Sequence, residues 1–72
     1  MNDEHNSYGA KIERGVIIHA GEDGYTVKSY DRNGLVTPKI KTLFGYKYNA
    51  GDRVYFFLFD DGSGQIICKM DA

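Results

Sequence analysis

Five short strands curled into one small all-β barrel are what this sequence predicts, and three observations predict it. Runs rich in β-branched and aromatic residues alternate with turn clusters at short intervals, no window sustains apolar residues at i, i+3 and i+4, and the length suits one modest core. A chain of 72 residues is one domain, since only about 60% of the unfolded surface is buried at this size. Its 42% hydrophobic and 26% charged residues are ordinary for a folded protein and unlike a disordered one. The six Tyr and four Phe bring large buried areas against the ordering entropy of so short a chain. Stability is expected to be marginal.

Each element follows from its residues. Residues 1–9 are polar and without an apolar period, and read as a loose tail preceding a barrel domain over residues 10–72. The first run, residues 11–20, places Ile12, Val16, Ile18 and Ala20 on one face, with Gly15 a candidate bulge or bend. Gly21-Glu22-Asp23-Gly24 accepts positive φ cheaply and predicts a tight hairpin into residues 25–30, where Tyr25 and Val27 oppose Thr26, Lys28 and Tyr30. Asp31-Arg32-Asn33-Gly34 supplies the Asn-Gly pair of a second hairpin.

Residues 35–43 set Val36, Pro38, Ile40 and Thr42 on one side and Lys39 and Lys41 on the other. Pro38 has no N–H to give a ladder, which puts this strand locally at a sheet edge. Residues 44–51 form a connection longer than a tight hairpin, suited to a crossover or a short helical turn. Residues 53–59 are the most apolar run, joined by Asp60-Asp61-Gly62-Ser63-Gly64 to a last strand over residues 65–70. Five short antiparallel strands must curl over their apolar face, since a flat sheet leaves that face wet and its edges unpaired. A long bent first strand, two hairpins, a longer connection and a terminal hairpin fit an OB-like Greek-key barrel. An SH3-like barrel is the alternative.

Nine Lys plus Arg against ten Asp plus Glu leave a formal charge of −1, so no net positive field draws the chain to phosphate backbones or anionic lipids. The lone Cys68 has no internal disulfide partner and reads as a small apolar strand residue, which suits a reducing compartment. Nothing in the polar start of the chain resembles a signal peptide, and no apolar stretch approaches ~20 residues. A soluble, cytoplasmic protein is the expectation. His19 reads as a solvated surface histidine, and Ser29 and Ser63 lie outside any nucleophile-elbow sequence. Glu22-Asp23 and Asp60-Asp61 lack the ligand spacing of a calcium loop and read as turn residues beside glycines. With no zinc cluster, phosphate loop or dinucleotide fingerprint, no cofactor, metal or small-molecule substrate is expected, and the chain reads as non-catalytic.

The aromatics carry the strongest signal. In residues 53–59, Val54, Phe56 and Leu58 occupy one face and Tyr55, Phe57 and Phe59 the other, so both faces are apolar. A barrel has one inside, and an exposed patch of this kind marks a binding or oligomer surface unless the tail or the 44–51 connection folds over it. The predicted protein interface is Tyr55, Phe57, Phe59, Tyr30 and Ile67, contacting a protein partner or further copies of the chain. A second reading uses aromatics to stack the bases of single-stranded nucleic acid, with Lys28, Lys39, Lys41, Tyr46 and Tyr48 as contacts and Arg32 and Lys47 nearby. The acidic residues of the intervening turns repel such a backbone, so protein contact is preferred.

Gly15-Val16-Ile17-Ile18, Tyr25-Thr26-Val27-Lys28, Gly34-Leu35-Val36-Thr37-Pro38, Tyr48-Asn49-Ala50-Gly51-Asp52-Arg53-Val54 and Gly64-Gln65-Ile66-Ile67 together resemble the OB domain of phage baseplate assembly and tail-spike proteins. The similarity spans about residues 12–70 and rests on the order of elements. The resemblance implies a structural role at the hub of a contractile tail, commonly as a trimer, with the aromatic face as interface and a virion-associated location. The chain carries neither a β-helical spike nor a lysozyme-like extension, both of which occur in that family.

Overall fold

The computed structural model of the chain describes residues 11–70; the tail expected over residues 1–9 lies outside the described residues. Five strands follow in order: β1 (Ile12–Gly21), β2 (Gly24–Ser29), β3 (Lys41–Thr42), β4 (Arg53–Leu58) and β5 (Gly64–Lys69), with a 3-10 turn at Leu43–Gly45 after β3. They form one curled sheet in the order β2-β1-β4-β5-β3. The two ends of the sheet meet through the segment before β3: Tyr25 and Ile40 exchange N–H···O bonds of 2.9 Å each, and Thr37 N donates to Val27 O at 2.9 Å. This is the small five-stranded, barrel-like all-β form expected, but not wholly antiparallel: β3 runs parallel to β5, while β1–β2, β1–β4 and β4–β5 are antiparallel. A parallel pair needs a long crossover, and the connection over residues 44–51 together with β4 supplies it.

The core is Ile17, Val27, Ile40, Val54, Phe56 and Ile66, with Tyr25, Tyr48 and Leu58 packed against it. Each such aliphatic or phenyl side chain contributes about 1.5–3 kcal/mol on full burial. β2 and β4 alternate as their sequences predict. The face of β1 is the reverse of the expectation: Glu13, Gly15 and Ile17 are buried, while Ile12, Ile18 and Ala20 are exposed and Val16 is half-buried. Gly15 is the reason. A Cβ on it would stand 2.6 Å from Lys28 O and 2.7 Å from Val27 Cγ1, so only glycine lets β2 and the Phe56 ring approach this closely. Gly15 pairs in regular register with both Ser29 and Val54, and the bulge lies instead at Ile18, between the Ile17–Val27 and His19–Thr26 pairs.

The strand expected over residues 35–43 contracts to Lys41–Thr42, preceded by isolated bridges at Val36 and Ile40. Val36 and Pro38 face solvent. Thr37 is buried in their place because its Oγ1 accepts the Val27 N–H at 3.0 Å, filling a rung that an aliphatic side chain would leave open. The hairpins close as expected: Gly21 pairs with Gly24, and Asn33 and Gly34 both take positive φ while Leu35 N bonds Arg32 O at 3.0 Å. Phe59 lies just beyond β4. Cys68, expected to fill an apolar strand position, stands exposed on β5 opposite Tyr55.

Candidate functional site

Strand register sorts the predicted interface residues. On β4 the inward Val54 and Phe56 force Tyr55, Phe57 and the following Phe59 outward. Across the ladder Ile12 pairs with Phe57 and Arg14 with Tyr55. Tyr30 donates its N–H to Arg14 O at 2.8 Å, which sets it on the same outer face. Tyr55 and Phe57 are half-buried among these neighbours, and Phe57 meets Phe59 edge to face with centroids 5.5 Å apart. Phe59 keeps 39% of its surface exposed and Ile12 67%. Tyr55, Phe57, Phe59 and Tyr30 therefore share one face; Ile67, half-buried, is the extra residue of a bulge between the Tyr55–Cys68 and Phe56–Ile66 pairs. Sequence reasoning missed Ile12, because it assigned β1 to the opposite face.

The rim of this face is ionic. Arg14 donates through N, Nε and Nη2 to the Asp31 carboxylate at 2.8, 3.4 and 2.7 Å. The hydrogen bond to Arg14 holds the Asp31 carboxyl below the usual range, and the same bond raises the Arg14 guanidinium. Beneath it lies a buried carboxylate that the sequence did not reveal. Glu13 Oε1 accepts from Ser29 Oγ at 2.9 Å and from Arg32 Nε at 3.0 Å, and Oε2 accepts from Arg32 Nη2 at 2.6 Å. Ser29 Oγ in turn accepts the N–H groups of Asp31 and Arg32, so one hydroxyl ties the turn after β2 to β1. Glu13, Arg14, Asp31 and Arg32 line a cleft of about 650 Å³ with Lys11, Ile12, Leu58 and Asp60. Each guanidinium holds a carboxylate, Arg14 that of Asp31 and Arg32 that of Glu13. No signal in the sequence joins Glu13 to Arg32, which lie 19 residues apart.

The residues of the nucleic-acid reading divide. Lys41, Tyr46 and Lys47 line a groove of about 330 Å³ at the β1–β2 hairpin, together with Glu22, Tyr25 and Gly45. Lys39 sits beside it, paired with Asp23 at 2.6 Å. That hydrogen bond lowers the Asp23 carboxyl, and Lys41 adds to the shift. Tyr48 is drawn inward instead: it packs on the core and meets Tyr25 edge to face at 6.2 Å, and its N–H bonds the Tyr25 hydroxyl at 3.1 Å. Burial raises its phenol above the ordinary value. Lys28 bridges to Val36, away from this groove, and Arg32 belongs to the Glu13 cluster. The 44–51 connection turns towards β1 and Tyr25, with Gly51 N bonded to Ile17 O at 2.7 Å.

His19 is exposed on β1, Ser29 is occupied by Glu13, and Ser63 and Asp61 bond each other in their turn. No group of three or more His, Cys, Asp or Glu gathers to hold a metal ion among the described residues, and no helix among them is long and apolar enough to cross a membrane. Comparisons with models of protein families, with curated proteins and with solved structures find no match.

Proposed function

We propose that this protein is a non-catalytic assembly module that packs against further copies of itself through the outer face of β1 and β4. One observation carries the reading: Ile12, Phe57 and Phe59 form a contiguous apolar strip on the outside of the barrel, with Ile12 paired to Phe57 and the Phe57 and Phe59 rings in contact. Charges of both signs border it, Arg14 and Lys11 on one hand and Asp31 and Asp60 on the other. A self-complementary rim of this kind suits contact between identical surfaces. The resemblance to baseplate barrels makes the hub of a contractile tail the proposed setting, and tail genes beside its own are the expected genomic neighbours.

Light scattering coupled to size-exclusion chromatography tests the oligomer directly. The full chain should elute as a defined oligomer, and the pair Ile12→Asp with Phe59→Asp should return it to a monomer of unchanged circular dichroism. A wild-type chain that stays monomeric at submillimolar concentration overturns the reading.

A further inference from the structure

Phe44 is the most conspicuous side chain outside that strip. It is 91% exposed and its backbone takes φ 58° and ψ 16°, the left-handed region that a bulky residue rarely enters. Strain of this sort persists where neighbouring contacts hold it. Thr42 Oγ1 donates to Tyr46 O at 2.6 Å and Tyr46 N donates to Leu43 O at 3.3 Å, which clamps the turn from both sides. The result is a pair of displayed rings: Phe44 and Tyr46, itself 61% exposed, stand edge to face at 6.5 Å.

Cations flank the pair. Lys41 and Lys47 line the groove beneath Tyr46, and neither makes an ion pair among the described residues. With Lys39 there are three cations against Glu22 and Asp23, a local excess of one positive charge in a chain whose total is −1. Other turn carboxylates lie away from this groove: Asp31 and Asp60 line the Glu13 cleft with Lys11 and Leu58, and Asp61 lies in the adjoining turn. We infer that the turn after β3 is a stacking site for single-stranded nucleic acid, with Phe44 and Tyr46 taking bases and Lys41 and Lys47 the phosphates. Aromatic faces accept any base, and exposed lysines follow a backbone without reading sequence, so the site is blind to sequence and sensitive to salt.

Fluorescence anisotropy of a labelled single-stranded oligonucleotide of mixed sequence, titrated with the full chain, tests this. Binding should appear at about 50 mM salt and weaken strongly by about 200 mM. Phe44→Ala and the double variant Lys41→Glu, Lys47→Glu should each weaken it at least about tenfold, and Val36→Ser, an exposed apolar side chain outside both surfaces, should leave it unchanged. Phe44→Gly keeps the turn unstrained and should lose binding equally, which separates loss of the ring from loss of the fold. Three results overturn the site: no binding at low salt, binding that Phe44→Ala and Phe44→Gly leave intact, or equal competition by duplex DNA. Sedimentation with phosphatidylserine vesicles that depends on Phe44, in a chain that ignores oligonucleotides, also overturns it.

Discussion

The aromatics of β4 and those of the turn after β3 make opposite use of the same residue types. Tyr55 and Phe57 rise from a strand with β1 on one side and β5 on the other, and the paired residues Ile12, Arg14, Gln65 and Cys68 cover part of each ring. Phe44 and Tyr46 ride on a three-residue turn at Leu43–Gly45 and project from it into solvent. A ring in the middle of a sheet is sheltered by its cross-strand neighbours whichever face it takes, whereas a ring on a turn has none. The apolar excess of β4 is therefore smaller than its sequence suggests, and that of the turn is larger.

Core truncation gives the sharpest form of this comparison. Phe56→Ala removes a fully buried ring and should cost about 3–5 kcal/mol, while Phe57→Ala, its half-covered neighbour on the outer face, should cost about 1–2 kcal/mol. Urea denaturation of the two variants measures both, and equal losses would mean that the outer face is buried more deeply than its exposure indicates.

The turn should respond with the opposite sign. Phe44→Gly removes no core contact and relieves a left-handed backbone, so the melting temperature should hold or rise, equivalent to up to about 1 kcal/mol of added stability. A fall of that size would show that the Phe44 ring packs against the barrel after all.

Acid perturbs both regions weakly. Asp31 holds Arg14 beside the outer face and Asp23 holds Lys39 beside the lysine groove, and both carboxyls lie below the usual range, as does that of Asp61 through its bonds to Ser63. A carboxyl that is more acidic folded than unfolded stabilises above its unfolded value near about 3.9 and loses that contribution as the pH falls towards its folded value. Thermal melts should thus be level from neutrality to about pH 5 and decline below about pH 4, the exposed setting keeping the change small. The same protonation frees Lys39, so oligonucleotide affinity should rise as acid is added.

Local chemistry was readable along much of the chain. Gly21 and Gly24 around Glu22-Asp23, and the Asn33-Gly34 pair, mark turns because their backbone needs are met by those residues alone. Val54 and Phe56 take the inside of β4 although its other face is also apolar, because that other face carries the Tyr55 hydroxyl, which is better left near water. In β1 the competing pattern won. Ile12, Val16, Ile18 and Ala20 are more apolar than Glu13, Gly15, Ile17 and His19, yet the barrel takes Glu13, Gly15 and Ile17 inside. The inward glycine makes room for Phe56 and Val27, and the inward glutamate is matched by Arg32 and Ser29 from the far side of the next hairpin.

Strand number, turn positions and the curled all-β form were determined by the sequence alone, because each depends on residues within a few positions of one another. Tertiary structure decided the face of β1, the shrinking of β3, its parallel pairing with β5, and which aromatics reach water. Those depend on how closely two backbones approach and on which distant side chain satisfies a buried donor or acceptor, and neither distance is written in the order of the residues.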